Sequence, residues 1–285
     1  MSLELRRGTP EDAVACGRIC HDAFEAIASQ HSFPKDFPSR EVAAEITGMM
    51  ISHPGFYDVL AEEDGRVVGS NFLDERSPIR GVGPITVDPE AQNSGIGRAL
   101  MVNVLDRAAE RGAPGVRLLQ DAFHSRSFSL YTKLGFQARC TTAVMQGPPI
   151  EENFPGSNVR TANEGDIAEC NRLCTAVHGH HRGGELADSI AQGGALVVER
   201  GGRITGYTAG VAFFTHSVGE MNEDLKALIA STLAFGGPGF HVPTQNDELL
   251  RWCFDRGLLM VKAMTLMSVG LYNEPQGAYL PGVLY

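Results

Sequence analysis

The sequence predicts an α/β (α+β) chain made of two tandem modules, and three observations carry that reading. Strand-like and helix-like segments alternate in mixed order, which argues against a barrel of eight regular repeats. The segment Asp12-Ala-Val-Ala-Cys16-Gly-Arg18-Ile19-Cys20 returns as Asp166-Ile-Ala-Glu-Cys170-Asn-Arg172-Leu173-Cys174, at an offset of 154 (166 − 12). Between the copies lies Gln146-Gly-Pro-Pro-Ile-Glu-Glu-Asn-Phe-Pro-Gly156, whose prolines and glycines suit a domain boundary. The expected division is 1–147, a linker at 148–156, and 157–285.

In the first module a strand leads into a helix over 10–28. Its apolar stripe is Cys16, Ile19, Cys20, Ala23, Phe24 and Ile27, spaced to face a core. A second helix is expected at 39–52, then a three-strand meander near 57–87. A helix over 95–111, a strand over 116–120, a helix over 125–134 and a last strand from 136 complete it. Phe128, Leu130, Tyr131 and Leu134 fall at helical spacing, and Gly135 supplies the stop.

The second module repeats the opening. Each copy is preceded by an arginine, Arg7 and Arg160. Val59-Leu-Ala-Glu-Glu-Asp-Gly65-Arg66 parallels Val197-Val-Glu-Arg-Gly-Gly202-Arg203, and both read as strands joined by a glycine turn. Tyr131-Thr-Lys-Leu-Gly135-Phe parallels Cys253-Phe-Asp-Arg-Gly257-Leu, with Met145 and Met267 at the same offset of 122 (253 − 131).

The most informative stretch is Val87-Asp-Pro-Glu-Ala-Gln92-Asn93-Ser94-Gly95-Ile96-Gly97-Arg98. An apolar strand, Ile85-Thr86-Val87, stops at Asp88-Pro89, and a glycine-containing turn opens a helix. Glycines let a bulky anion approach the backbone. The free N–H groups and the positive dipole end of a helix N-terminus then favour that anion. The dinucleotide fingerprint is excluded because Leu100 stands at its third glycine. The nucleotide-triphosphate loop is excluded because Arg98 is not followed by a hydroxyl residue.

What remains, Gln-x-x-Gly-x-Gly after a Val-x-Pro strand end, resembles the acyl-CoA signature of the GNAT N-acetyltransferase superfamily. Downstream, Leu130-Tyr131-Thr-Lys-Leu134-Gly135-Phe136 resembles the same family's second motif. There His124 stands where asparagine is usual, and Ser127 where alanine is usual. The resemblance implies two GNAT-like modules, each a mixed, mostly antiparallel central sheet flanked by helices. It also implies acetyl-CoA as co-substrate, with no metal. Ile85, Thr86 and Val87 would hold the thioester arm, and Gln92, Asn93, Ser94, Gly95, Ile96, Gly97 and Arg98 the diphosphate. Ser127 and Tyr131 would lie along the cofactor, with Tyr131 as general acid to the departing thiolate. The implied reaction is direct attack of a primary amine in a ternary complex. Glu62, Asp74, Glu75, Asp121 and His124 are candidates for the base, Asp121 and His124 foremost. A water chain without a single base is equally compatible. The alternative function is a non-catalytic acyl-CoA-binding or sensing protein.

Nothing in the second half matches the glycine signature. The helix near 221–234 starts with acidic residues that would repel a diphosphate. Cys253 stands opposite Tyr131, and Asn246 opposite His124. This half is expected to be degenerate, either walling the acceptor pocket or serving as duplicated core at a dimer surface. The loop near 29–40 mixes aromatics with charge and is the expected acceptor loop; its mixture fits many amines.

Composition sets limits. Of 285 residues 43% are hydrophobic and 20% charged, and the net charge is −10. This is a globular balance that disfavours non-specific nucleic-acid binding and suits a cationic amine substrate; the resemblance implies a small-molecule amine or peptide amine as acceptor. The first residues carry no apolar signal core, and no apolar run approaches the ~20 residues of a membrane span. A cytoplasmic monomer or homodimer is expected. The six cysteines read as small buried hydrophobes of a reducing compartment. His178-Gly-His180-His181 reads as a solvated or substrate-facing loop rather than a zinc site.

Overall fold

The computed structural model describes residues 3–284; Met1, Ser2 and Tyr285 lie outside the described residues. The order of elements is β1 (Leu3–Arg6), α1 (Ala13–Gln30), α2 (Arg40–Ser52), β2 (Phe56–Glu63), β3 (Arg66–Asp74), β4 (Arg80–Val82), β5 (Thr86–Val87), α3 (Ile96–Glu110), β6 (Gly115–Asp121), α4 (Ser125–Lys133) and β7 (Gln137–Gln146). The second half continues with β8 (Asn158–Thr161), α5 (Ile167–His178), α6 (Gly183–Ala191), β9 (Leu196–Arg200), β10 (Arg203–Thr208), β11 (Ser217–Gly219), α7 (Asn222–Ala230), β12 (Phe240–Pro243), α8 (Asp247–Asp255), β13 (Leu259–Gly270) and β14 (Ala278–Leu280).

The repeat has a local physical basis. Asp12 and Asp166 each cap a short 3-10 turn and accept two bonds from one guanidinium, Arg6 at 2.8 and 2.9 Å and Arg160 at 2.7 and 2.8 Å. The same arginines reach Glu62 and Glu199 on the neighbouring strands. The counterpart of Arg160 is therefore Arg6, not Arg7; Arg7 pairs with Asp58 instead. Gly135 and Gly257, at φ 92° and 83°, end the matching helices α4 and α8, where a left-handed residue is needed.

The sheets are mixed and mostly antiparallel, as expected, but the halves exchange strands. One nine-stranded sheet runs β1-β2-β3-β4-β6-β13-β7-β12, with β5 paired to β3; a five-stranded sheet runs β14-β11-β10-β9-β8. The last strand of the first half, β7, does not reach its own β6. Strand β13 lies between them, pairing antiparallel with both, and β7 continues onto β12. The cores follow the exchange. Met267 and Val269 of β13 pack with Val104, Leu118 and Phe136. Ala143 and Met145 of β7 pack with Leu228, Phe240 and Cys253. The alternating pattern of β7 and β13 fixes which face is buried but not which neighbour pairs.

Other differences are local. Gly183 and Gly184 open α6, and a Cβ at Gly184 would stand 2.6 Å from the Arg76 carbonyl oxygen; the helix packs too close to the first half for a side chain. His178 and His180 are buried and only His181 is exposed. That segment is solvated only in part and does not line the cavity described below. All six cysteines are free and buried. Among the described residues no helix is long and apolar enough to cross a membrane.

Candidate active site

The site begins where two parallel strands part. β4 and β6 are in register only at Arg80 opposite Val116 and Gly81 opposite Arg117. The chain then turns through Gly83-Pro84 and stays with β3. Gly83 N–H donates to Phe72 O at 2.9 Å, Thr86 and Val87 pair with Ser70 and Gly69, and Asp88 N–H donates to Val68 O at 2.8 Å. Strand β6 runs on to Asp121 against β13. The wedge between them opens into a cavity of about 440 Å³, lined from Val82 to Val87 on one side and from Leu118 to Asp121 on the other. A strand edge without a neighbouring strand offers backbone donors and acceptors to an extended ligand.

One end of the wedge is the start of α3. Asn93 (φ 68°) and Gly95 (φ 93°) are both left-handed, a conformation that gathers successive N–H groups into an anion-binding concavity. Gly95 is the N-cap, with no side chain capping the first turn, so those donors await an outside acceptor. A Cβ on Gly97 would make only ordinary contacts, 3.7 Å to Leu130 and 3.8 Å to Val87; packing within the chain does not demand glycine there. These features fit the diphosphate and extended arm of an acyl-CoA.

Of the residues expected to hold the cofactor, Ile85, Thr86, Val87, Gln92, Asn93, Ile96, Gly97, Ser127 and Tyr131 line the cavity, while Ser94, Gly95 and Arg98 are not among its lining residues. Gln92 is held in place: its amide donates to Val87 O at 3.2 Å and its carbonyl accepts from Arg126 at 3.0 Å. Ser94 donates to Ala91 O. Arg126, on the first turn of α4, is the cation that sequence reasoning missed here.

The other elements bring the polar groups together. Ser127 donates to Gln120 Oε1 at 2.9 Å and leaves the buried Gln120 amide nitrogen without a partner. Tyr131 is 6% exposed. Burial, with Asp121 nearby, pushes its phenol well above the usual tyrosine range, so it carries its proton at neutral pH. Burial first, then Arg126 and His31, lowers His124 to about 4. Its imidazole is neutral, with a buried Nε2 that has no hydrogen-bond partner. Asp121 is joined to Lys262 of β13 at 2.7 Å, and the same ammonium is bonded to Asp36.

Three of the candidate bases do not reach the cavity. Glu62 is taken by Arg6 at 2.7 Å, Asp74 by Arg76 at 2.6 Å and Glu75 by Arg107 at 2.9 Å. Each is a strand-end carboxylate neutralised by a local arginine. Asp36 and Phe37, within the expected acceptor loop near 29–40, line the cavity, whereas Phe213, Phe214, Met264, Val283 and Leu284, which line it from the far side, were not singled out. A further signal was Lys262, a lone charge inside the apolar run Leu259-Met-Val-Lys-Ala-Met264.

The matching place in the second half is built differently. Asp224, fully buried, accepts from Met221 N–H at 3.2 Å, Thr205 at 2.7 Å and Arg200 at 2.6 Å. Its carboxylate caps α7 where an anion would otherwise sit. Glu220, Glu223, Glu248 and Glu274 line the groove beside it, and like charges there repel a diphosphate. Asn246 caps α8 through Leu249 N–H at 3.3 Å, and Cys253 is fully buried.

Residues 21–136 match the model of the acetyltransferase (GNAT) family. A mycothiol acetyltransferase of Thermomonospora curvata is 37% identical over 91 residues, 32% of this chain and 31% of that protein. The chain spans less than half the length of the curated relatives it matches. Over nearly the whole chain (99%, and 94% of the other) the fold resembles a putative acetyltransferase from Pyrococcus horikoshii, with TM-score 0.77 at 17% identity. It also resembles a tandem GNAT protein from the clavulanic acid biosynthesis pathway, with TM-score 0.57 at 13% identity, covering 94% of this chain and 98% of that one. At those identities the likeness concerns the fold.

Proposed function

Starting from a chain whose residues 21–136 match the GNAT-family model, we propose that the protein is an acetyl-CoA-dependent N-acetyltransferase acting on a primary amine. One observation carries the reading: the β4–β6 wedge joins an uncapped helix N-terminus at Gly95 to a buried, protonated Tyr131. A site for binding alone has no need of an acid at that place.

Acetyl-CoA supplies the activated acetyl thioester when bound. The first turn of α3 holds the diphosphate, with Arg126 adding charge, and the open edge of Ile85-Thr86-Val87 orients the extended arm. The amine nitrogen forms a bond to the acetyl carbon as the carbon–sulfur bond breaks. Tyr131 gives its proton to the departing thiolate and regains one from solvent; such help is typically worth about 10²–10⁴-fold. The amine's proton leaves toward water past neutral His124 and ion-paired Asp121. A cavity walled by Phe213, Phe214, Val283 and Leu284 keeps bulk water from the thioester, so we assign the second half the role of acceptor wall. The curated relatives named mycothiol acetyltransferase support acyl transfer over passive binding.

The test is thiol release from acetyl-CoA in the presence of a panel of primary amines. Amine-dependent release supports the proposal. Tight acetyl-CoA binding without release above the uncatalysed rate for any amine would favour an acyl-CoA-binding or sensing protein.

A further inference from the structure

The far side of the cavity has a definite chemical character. Phe24, Ile27, Phe37, Phe213, Phe214 and Leu284 make an apolar wall. Asp36 and Asp121 also line it, with side chains 8% and 7% exposed. Behind them Lys262, 3% exposed, is bonded to both carboxylates and lies 5.5 Å from the centre of the Phe213 ring.

The charge count does not close within the protein. Two carboxylates share one ammonium, leaving one negative charge in an apolar wall. The other titratable groups facing this region do not supply the missing cation. His124 is neutral, and His241, packed against Lys262, is held at about 3 by burial and by that ammonium. Arg126 points to the other end, where it donates to Gln92. Burial raises Asp36 above the usual aspartate range, as expected of a carboxylate short of a partner. An uncompensated charge in low dielectric is costly, and a bound cation would relieve it.

Resting on the acetyl-transfer reading of this cavity, we infer that the acceptor is a cationic primary amine with an apolar body and no carboxylate of its own, its ammonium received by Asp36 and Asp121 while Lys262 holds the two carboxylates in place. The bound ammonium gives one proton to water to become a neutral nucleophile, and the nitrogen loses its second proton the same way as the amide forms. An acceptor bearing a carboxylate would bring a second uncompensated negative charge. A polyhydroxylated amine would leave its hydroxyls facing phenylalanine rings without partners, and a buried polar group left unpaired is discriminated against strongly. Asp36 sits between α1 and α2, whereas Lys262 comes from β13. Selection therefore depends on both halves of the chain.

The experiment compares 2-phenylethylamine, phenylalanine and glucosamine as acceptors with the full chain, with acetyl-CoA affinity measured in parallel by calorimetry. The expected kcat/KM for 2-phenylethylamine exceeds that for either other amine by about a hundredfold or more. Asp36→Asn should raise the KM for 2-phenylethylamine at least tenfold and narrow its advantage over phenylalanine, with acetyl-CoA affinity unchanged. If acetyl-CoA binds but phenylalanine or glucosamine is preferred, or none of the three is acetylated, the acceptor assignment is overturned while the cofactor site stands. If Asp36→Asn leaves the KM unchanged, the role of Asp36 is overturned. If acetyl-CoA does not bind at all, the acetyl-transfer reading falls first, and this inference with it.

Discussion

Leu266 in the second half of the chain lies in register opposite Leu119 in the first, on adjacent antiparallel strands, and it is completely buried. On its other side the same residue faces Cys140 of β7. The strand that divides β6 from β7 is thus contributed by the opposite half of the sequence.

Neither half should fold alone. A fragment of residues 1–147 would leave β6 and β7 without the strand between them, and one of 157–285 would lack β7 beside β12 and β13. Unpaired strands with buried faces aggregate. Expressed separately, the halves should be insoluble; co-expressed, they should copurify as a 1:1 complex. A monodisperse, cooperatively unfolding fragment of 1–147 would contradict the exchange. Within the intact chain Leu266→Ala should cost about 2–5 kcal/mol in urea unfolding.

Tyr131→Phe should separate chemistry from binding. The phenol is buried and protonated, and removing it leaves the ring in contact with the same core, including Phe136 at 6.0 Å between ring centroids. Turnover should drop by about 10²-fold or more, while the Kd for acetyl-CoA stays within about twofold. Unaltered turnover would remove the acid role.

Acid should weaken the fold before its carboxylates titrate. Burial pushes His180 and His241 down to about 3, and His178 lies well below its usual value. In the unfolded chain each returns to about 6.5. Below that pH the unfolded state binds protons that the folded state does not, so stability decreases as pH falls. Each histidine contributes about 1.4 kcal/mol per pH unit, the loss continuing until its folded pKa is reached. Asp36 and Asp224 are raised by burial and act in the opposite sense, but are fewer than these histidines. The urea midpoint should therefore drop from pH 7 to pH 5. A midpoint that holds steady or rises would contradict the neutral burial of these histidines.

Local signals in the sequence were readable where chemistry and backbone geometry coincide. Gly95 marks both the left-handed N-cap and the proposed anion cradle, and Tyr131 falls at helical spacing in the motif that follows. The duplication could be read because Asp12 and Asp166 do the same capping work. Long-range pairing left no such trace. β7 and β13 have similar alternation, and nothing local in Met264 or Leu266 says that β6 is the neighbour. The Lys262 bridge to Asp36 and Asp121 joins three segments that only the exchange brings together. Candidate bases such as Glu75 could not be sorted in advance either, because Arg107, which neutralises it at 2.9 Å, lies beyond two strands, on α3.

The most direct test of the account is calorimetric titration of the full chain with acetyl-CoA, beside Gly97→Glu. A Cβ fits at position 97, so the variant should fold normally while placing a carboxylate in the cradle at the start of α3. The account predicts one site per chain in the wild type and none in Gly97→Glu, with Asp224 and its surrounding glutamates keeping the second groove empty. Two sites, or a variant that binds as well as the wild type, would contradict it.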